Sequence, residues 1–182
     1  MGNSEKPVMY TVGHSVHSLD YFLEMLNSFD IKILADIRRY PGSKRYPWFS
    51  KDNLEKILPE NHIEYIHFED LGGRRKVQPG SVNNRWRNES FRGYADYMQT
   101  SVFVAAIEKL EHIAMEKTTA FMCSEAVWWS CHRSMVSDYL KARGWKVEHI
   151  MNIGKAEEHS FTSPARVRNG QVFYSDESLF DE

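Results

Sequence analysis

Five short runs of apolar residues, rich in β-branched and aromatic side chains, recur along the chain. They cover residues 8–12, 31–37, 63–68, 118–122 and 147–151. Runs with so few polar interruptions are typical of strands buried on both faces, as in a parallel sheet. The pattern therefore predicts a mostly parallel sheet of about five strands.

Between these runs, apolar residues recur at the spacing of amphipathic helices. The predicted helices cover residues 19–26, 51–58, 91–98, 102–115 and 130–143. Ser18 and Ser50 stand where the first two helices need an N-cap, and Gly144 suits the end of the last. Strands alternating with helices predict an α/β fold with three layers, α/β/α, in which helices cover both faces of the sheet.

Two stretches interrupt this alternation. Residues 72–88 are rich in glycine, asparagine and proline, which predicts a long loop. Residues 165–174 predict a small C-terminal hairpin that turns at Asn169 and Gly170.

The chain of 182 residues fits one domain, 1–182. We expect a flexible N-terminus at residues 1–6. A C-terminal extension is expected at residues 155–182, with the hairpin inside it and an acidic end at 175–182.

The composition of the chain excludes only a few classes of function. The net charge of −2 and the 26% of charged residues indicate no general attraction to nucleic acid or anionic membranes. Two cysteines do not make a secreted disulfide framework, no run approaches the ~20 apolar residues that span a bilayer, and the start lacks a signal peptide. A cytoplasmic location without membrane contact is therefore expected.

Polar and reactive side chains follow four of the predicted strands. The carboxyl ends of parallel strands share one edge of a sheet, and ligands bind there. The residues concerned are His14 and Ser15, then Asp36 and Arg38, then Gly72, Gly73 and Arg74, and finally Cys123 and Glu125. We expect these groups to meet at one site.

The densest reactive group lies in residues 123–133, between a strand and a helix. It adds Cys131, His132 and Arg133 to Cys123 and Glu125. Cys131, His132 and Arg133 are predicted in the first helical turn, where free N–H groups favour an anion and lower the pKa of a thiol. Structural explanations stand beside this interpretation, because free cysteines are often core residues and Asp36 can form a plain ion pair with Arg38.

The chain also resembles a known family, the uncharacterised proteins grouped as domain of unknown function 488. The resemblance covers nearly the whole chain and implies a prokaryotic-type soluble α/β domain, without a defined activity. The residues that carry it are 11–15, 36–41 with Ser43, 71–74, 91–95, 123–125 and 131–133, followed by Gly170, Tyr174, Leu179 and Phe180.

The leading hypothesis is an enzyme acting on an anionic substrate that bears a phosphate or resembles a nucleotide. Arg38, Arg74 and Arg133 would bind the anion, with Asp36, Ser15, Gly72 and Gly73 completing the binding site. Cys123 or Cys131 would be the nucleophile, and His14, His132 or Glu125 would move protons. The arginine that cysteine phosphatases and rhodaneses carry six positions after the cysteine is missing, since Trp129 and Ser137 stand there.

Two alternatives use the cysteines differently. Cys123, Cys131, His132 and His14 form a possible tetrahedral metal set, although their spacing differs from that of structural zinc sites. The two cysteines could instead form a reversible disulfide, which would make this a thiol redox site. No cofactor and no oligomeric state can be predicted.

A third alternative is a nucleic-acid-binding module. Six basic residues lie between residues 72 and 92 against one acidic residue, Glu89, with Trp86 and Phe91 among them. Aromatic side chains interleaved with cations are typical of single-strand binding. A second basic cluster consists of Arg38, Arg39, Lys44 and Arg45, with Trp48.

Overall fold

A computed structural model describes residues 6–176 and shows a mostly parallel six-stranded sheet with helices on both faces. The strands are β1 (Val8–Gly13), β2 (Ile33–Asp36), β3 (Glu64–His67), β4 (Thr119–Cys123), β5 (Lys146–Asn152) and β6 (Lys155–Glu158), followed by the hairpin strands β7 (Arg166–Arg168) and β8 (Gln171–Phe173). The helices are α1 (Leu19–Ser28), α2 (Lys51–Glu60), α3 (Glu89–Tyr97), α4 (Ser101–Glu116) and α5 (Arg133–Ala142).

The strand order is β3-β2-β4-β1-β5-β6, and all neighbours pair in parallel except β5 and β6. All five predicted strands are confirmed. Strand β6 was not predicted, because its sequence of lysine, alanine and two glutamates has no apolar pattern. It lies at the edge, where backbone pairing with β5 suffices to hold it.

Each face of the sheet carries its own apolar core, as the three-layer prediction requires. Ala35 and Phe121 point to the face covered by α3, α4 and α5, while Leu34 and Ala120 point to the face covered by α1 and α2. The alternation follows from the two-residue period of a strand.

Local signals in the sequence placed several element ends correctly. The Ser18 hydroxyl accepts a hydrogen bond from the Tyr21 N–H at 3.2 Å and caps α1. Gly144 has a φ of +95° just after α5, and Asn169 and Gly170 turn the hairpin with positive φ values. Ser50 precedes α2 as predicted, but its side chain forms no capping hydrogen bond.

The predicted loop at 72–88 contains no helix or strand, and Asp96 of α3 holds it in place. The Asp96 carboxylate accepts hydrogen bonds from the Gln78 N–H (2.8 Å), the Ser81 hydroxyl (2.5 Å) and the Asn83 amide (2.7 Å). The loop therefore has a defined path over α3.

Residues 1–5 and 177–182 lie outside the described part of the chain. The predicted flexible start at 1–6 and acidic end at 175–182 fall mostly there, as do Leu179 and Phe180. Lys6 is described, and its Nζ donates a hydrogen bond to the Arg143 carbonyl at 2.7 Å. Within residues 6–176, no helix combines the length and apolar character needed to cross a membrane.

Candidate functional site

Strands β2, β4 and β1 are neighbours, and a pocket of about 880 Å³ lies beyond their carboxyl ends. Arg38 and Cys131, which come from different loops, both line it. Most of the predicted site residues are brought together there, namely His14, Ser15, Arg38, Gly73, Arg74, Cys123, Glu125, Cys131 and His132.

Three predicted site residues stand behind this lining instead. Asp36 and Arg133 are 0% and 1% exposed, and neither belongs to the pocket lining, which Cys123 joins although it is only 2% exposed. Gly72 packs against the backbone of Arg39, where an added Cβ would come within 2.6 Å of Cα. The expected direct contacts of these three residues with an anion are therefore corrected to supporting positions.

The two cysteines form a pair at the floor of the pocket. The Sγ atoms of Cys123 and Cys131 lie 2.7 Å apart, although eight positions separate them in the chain. Cys123 is buried at the end of β4, and Cys131 is half-buried. One thiol can donate a hydrogen bond to the other sulfur, and this favours a single negative charge on the pair.

Of the two thiols, Cys123 loses its proton more readily. Burial acts to raise the pKa of this thiol, but the hydrogen bond with Cys131 and the charge of Arg133 outweigh it and bring the pKa down to about 7. Burial, reinforced by the neighbouring Cys123, raises the pKa of Cys131 well above its ordinary value. Cys123 is therefore ionised in about half of the molecules near pH 7, while Cys131 stays protonated and can donate the hydrogen bond.

Arg133 is the buried cation beneath the pair. Its Nη2 donates to the carbonyl oxygens of Glu125 (3.1 Å) and Ala126 (3.3 Å). Its Nε and Nη1 have no hydrogen-bond partner among the described residues. A buried guanidinium without a carboxylate partner is costly, and a nearby thiolate is the charge that offsets this cost.

Cys131 lies just before α5, which corrects the prediction that it belongs to the first helical turn. Its backbone is extended (φ −141°, ψ 170°), His132 is the N-cap, and the helix begins at Arg133. The helix still reaches the sulfur, because the Arg133 backbone N–H donates to Cys131 Sγ at 3.4 Å.

Asp36 orients Arg38 toward the pocket. Asp36 accepts hydrogen bonds from Arg38 Nε (2.9 Å) and Nη2 (2.7 Å), and the Tyr65 hydroxyl donates to the same carboxylate at 2.5 Å. Nη2 also donates to the Phe49 carbonyl at 2.8 Å. Only Nη1 is left to face the pocket, where it lies 3.4 Å from His14 Nε2.

His14 is a neutral imidazole with a defined tautomer. Burial lowers its pKa to about 4, and its ring stacks on Phe49 at 4.4 Å. Because Nδ1 lies 2.9 Å from the Ser15 carbonyl, Nδ1 carries the proton. Nε2 is therefore the free acceptor that meets Arg38.

His132 also lines the pocket and is held by a backbone carbonyl in the same way. Its Nε2 lies 3.1 Å from the Ile37 carbonyl and must donate, so Nδ1 carries the lone pair. Burial lowers its pKa to about 4. Gly73 lies directly over Nδ1, since an added Cβ would come within 3.0 Å of that atom.

Gly13 allows the first strand and the cysteine segment to touch. A Cβ on Gly13 would lie 1.7 Å from the Glu125 carbonyl oxygen. The next two backbone N–H groups donate to the carbonyl oxygens of Cys123 (3.1 Å) and Ser124 (2.9 Å). No side chain fits between these segments, so glycine is required here.

The pocket rim is strongly basic. The described lining includes four arginines, Arg38, Arg39, Arg45 and Arg74, against one carboxylate, that of the exposed Glu125. Arg39 Nη1 donates to the Arg74 carbonyl at 2.8 Å, which ties two loops together. An excess of guanidinium groups around a pocket is suited to binding an anion.

The alternative metal set is not assembled. Within residues 6–176, no three histidine, cysteine, aspartate or glutamate side chains form a group that could hold a metal ion. His14 and His132 each use one ring nitrogen on a backbone carbonyl, and Cys123 and Cys131 face each other.

The aromatic residues of the basic loop pack inward, which weakens its interpretation as a single-strand platform. Trp86 lies against Phe91 (4.8 Å) and Tyr174 (5.7 Å). Arg85 pairs with Asp176 at 3.0 Å, and Arg92 donates to the Trp86 carbonyl at 3.0 Å. The bases of a nucleic acid would find little exposed aromatic surface there.

A buried polar chain beside the site was missed from the sequence. Thr11 lies 2.5 Å from His149 Nδ1, His149 Nε2 lies 2.9 Å from His159 Nδ1, and His159 Nε2 lies 2.8 Å from Asp138. Trp128 stacks on His149 at 4.6 Å and so connects this chain to the cysteine segment. The usable signal was a histidine inside the apolar run at 147–151.

Comparison with known proteins identifies a family. A model of the family described as domain of unknown function DUF488 matches residues 18–140. This span contains Asp36, Arg38 and Arg74 and both cysteines, and it ends before His149. No curated protein and no solved structure matches the chain.

Proposed function

The chain belongs to the family described as domain of unknown function DUF488, and because that description assigns no activity, we propose a function from the site itself. The protein is a cysteine-dependent enzyme that acts on an anionic, phosphate-bearing substrate. The observation that carries this proposal is the cysteine pair, with sulfurs 2.7 Å apart, at the floor of a pocket whose lining includes four arginines.

Cys123 is the nucleophile in this proposal, because Arg133 and Cys131 stabilise its thiolate. Its sulfur forms a bond to the electrophilic centre of the substrate while the leaving group departs with its electron pair. Water then breaks the new bond, which restores the thiolate and releases one proton. Glu125 is an exposed carboxylate of the pocket lining and can accept that proton, whereas burial lowers the pKa of His14 and His132 to about 4 and keeps both imidazoles neutral.

The anion is bound by the guanidinium groups of the rim. Arg38 offers Nη1, since Asp36 occupies its other side, and Arg74 and Arg45 are exposed and free to move toward a ligand. Bidentate hydrogen bonds from exposed arginines match the geometry of a phosphate group.

The proposal is tested by ligand binding and thiol protection together. Inorganic phosphate, nucleoside monophosphates and sugar phosphates are screened for thermal stabilisation, and the alkylation rate of Cys123 is followed with each. A ligand at ~100 times its Kd should raise the Tm by roughly 5–10 °C. It should also slow alkylation severalfold.

Two variants make the test specific. Arg74→Gln should weaken phosphate binding about tenfold, since it removes a rim cation. Lys56→Gln removes the same charge from an exposed position of α2 outside the pocket and should change nothing. If no phosphate compound shifts the Tm or protects Cys123, the proposal is wrong.

A second function, thiol–disulfide exchange, is favoured by the short distance between the sulfurs. Cys123 and Cys131 would form a disulfide and pass two electrons and two protons to a substrate disulfide, which becomes two thiols. Cys131→Ser distinguishes the two functions, because serine can still donate to Cys123 but cannot form a disulfide. Activity that survives this substitution supports the nucleophilic enzyme, and complete loss supports exchange.

A further inference from the structure

A second basic pocket lies beside the first. It has a volume of about 360 Å³ and shares Arg39 and Arg74 with the cysteine pocket. It adds Arg75 and Lys76 from the loop at 72–88. Two cavities that share two arginines form one continuous basic surface.

Cations outnumber carboxylates in the described lining of the second pocket by four to one. Among the described residues, none of Arg39, Arg74, Arg75 and Lys76 forms an ion pair. The one carboxylate, Asp96, is 8% exposed and its oxygens accept hydrogen bonds from the loop, so it offsets only part of this charge.

The other contacts of these cations leave their charge intact. Arg75 Nε donates to the Gly72 carbonyl at 3.1 Å, and its guanidinium lies 3.8 Å from the Tyr97 ring centre. Such contacts hold a guanidinium in place without cancelling its charge. Like charges held together in this way repel, and a bound anion relieves the repulsion.

An exposed aromatic side chain lies against the two arginines that the pockets share. Tyr40 lines the cysteine pocket and is 59% exposed. The guanidinium groups of Arg39 and Arg74 lie 5.3 and 5.7 Å from its ring centre. An exposed ring flanked by cations is the surface on which the bases of single strands stack.

We propose that the substrate is a single-stranded nucleic acid that bridges both pockets. One phosphate binds at the cysteine pocket, a neighbouring base stacks on Tyr40, and the next phosphate binds between Arg75 and Lys76. This inference rests on the proposed function, because it assumes that the first pocket takes a phosphate-bearing group. Tyr40 favours nucleic acid over a plain polyanion, which has no base to stack.

The proposal is tested with single strands of increasing length. Binding of oligonucleotides of one to five nucleotides is measured by calorimetry at two salt concentrations, with inorganic tripolyphosphate as a polyanion without bases. Affinity should rise about tenfold or more once a second phosphate can enter the second pocket, and then level off. Binding of the longer strands should weaken as salt rises.

Three variants test which residues cause the rise in affinity with strand length. Lys76→Gln should lose several-fold affinity for the longer strands and none for the mononucleotide. Tyr40→Ala should weaken strands of two or more nucleotides about tenfold but leave tripolyphosphate unchanged. Lys56→Gln is the matched charge control and should bind like the wild type.

The possible results distinguish a failure of the nucleic-acid inference from a failure of the proposed function. If mononucleotides bind and length adds nothing, the nucleic-acid inference is overturned while the proposed function stands. The inference is also overturned if tripolyphosphate binds as tightly as the longer strands and Tyr40→Ala leaves strand affinity unchanged. It is overturned as well if Lys56→Gln weakens strand binding as much as Lys76→Gln. If no phosphate compound binds at all, both the proposed function and this inference are wrong.

Discussion

The carboxylate of Asp138 accepts a hydrogen bond from Nε2 of His159 at 2.8 Å, and neither side chain has any exposed surface. Asp138 belongs to α5, whereas His159 follows β6. The same carboxylate accepts hydrogen bonds from Thr162 and from the Tyr174 hydroxyl. One buried acid therefore fastens the C-terminal segment to the helix that carries Arg133.

Removal of this acid should loosen the C-terminal segment. Asp138→Ala leaves His159, Thr162 and Tyr174 without their acceptor, and we expect a loss of about 3–5 kcal/mol in the free energy of unfolding. Tyr174→Phe removes one hydrogen bond and should cost about 1 kcal/mol. Urea denaturation measures both losses. Equal, small losses for the two variants would contradict the central role of Asp138.

Gly13 and Gly42 form a matched pair for testing the close approach of β1 to the cysteine segment. Gly13→Ala forces a Cβ against the Glu125 carbonyl, so it should destabilise the protein by a few kcal/mol and weaken phosphate binding. Gly42→Ala meets nothing within 4 Å and should be neutral or stabilise by about 0.5 kcal/mol. Denaturation together with calorimetry provides the measurement. An unaffected Gly13→Ala protein would mean that the two segments separate easily.

The ionisation of Cys123 should appear in the pH dependence of alkylation. In the wild type the rate should rise with a midpoint near pH 7, because the thiolate is the reactive form. Arg133→Gln removes the buried charge and should raise the midpoint by roughly one pH unit. Arg133→Lys keeps the charge and serves as control. A midpoint that is the same in the glutamine variant and the wild type would argue against Arg133 as the counter-ion.

Oxidation should join the same two sulfurs. A mild oxidant should remove about 2 Da from the intact mass, and reductant should restore it. Cys123→Ser and Cys131→Ser should each abolish the change. If the wild-type mass stays constant under oxidant, the thiol–disulfide alternative is excluded.

Buried histidines should make the protein less stable in acid. Burial lowers the pKa of His149 to about 2 and that of His14 to about 4, below the ordinary value of 6.5. As the pH falls below 6.5, these histidines take up protons in the unfolded chain but stay largely neutral in the folded chain, so the free energy of unfolding decreases. Each of the two histidines should therefore cost on the order of 2 kcal/mol of stability at pH 5.

Urea denaturation at pH 8, 6.5 and 5 checks this slope. His149→Gln should flatten the fall between pH 6.5 and 5, and the exposed His112→Gln should leave it unchanged. Identical slopes in the wild type and His149→Gln would show that His149 is not the titrating group.

Much of the fold was predictable because it depends on local patterns. Buried strands appear as apolar runs, so all five strands that pair in parallel were found. The Ser18 cap and the turn at Asn169 and Gly170 follow from the chemistry of single residues. The family resemblance depended on the same kind of local motif, and the match over residues 18–140 confirms it.

The sequence by itself determined which reactive groups follow the strands, but the tertiary structure decided what they do. Strand order brings Cys123 beside Gly13, and the path of residues 124–130 returns Cys131 to within 2.7 Å of Cys123. Likewise, only the assembled sheet reveals that Asp36 orients Arg38 instead of meeting a ligand. Such contacts join residues distant in the chain, and they depend on register and strand order, which no local periodicity encodes.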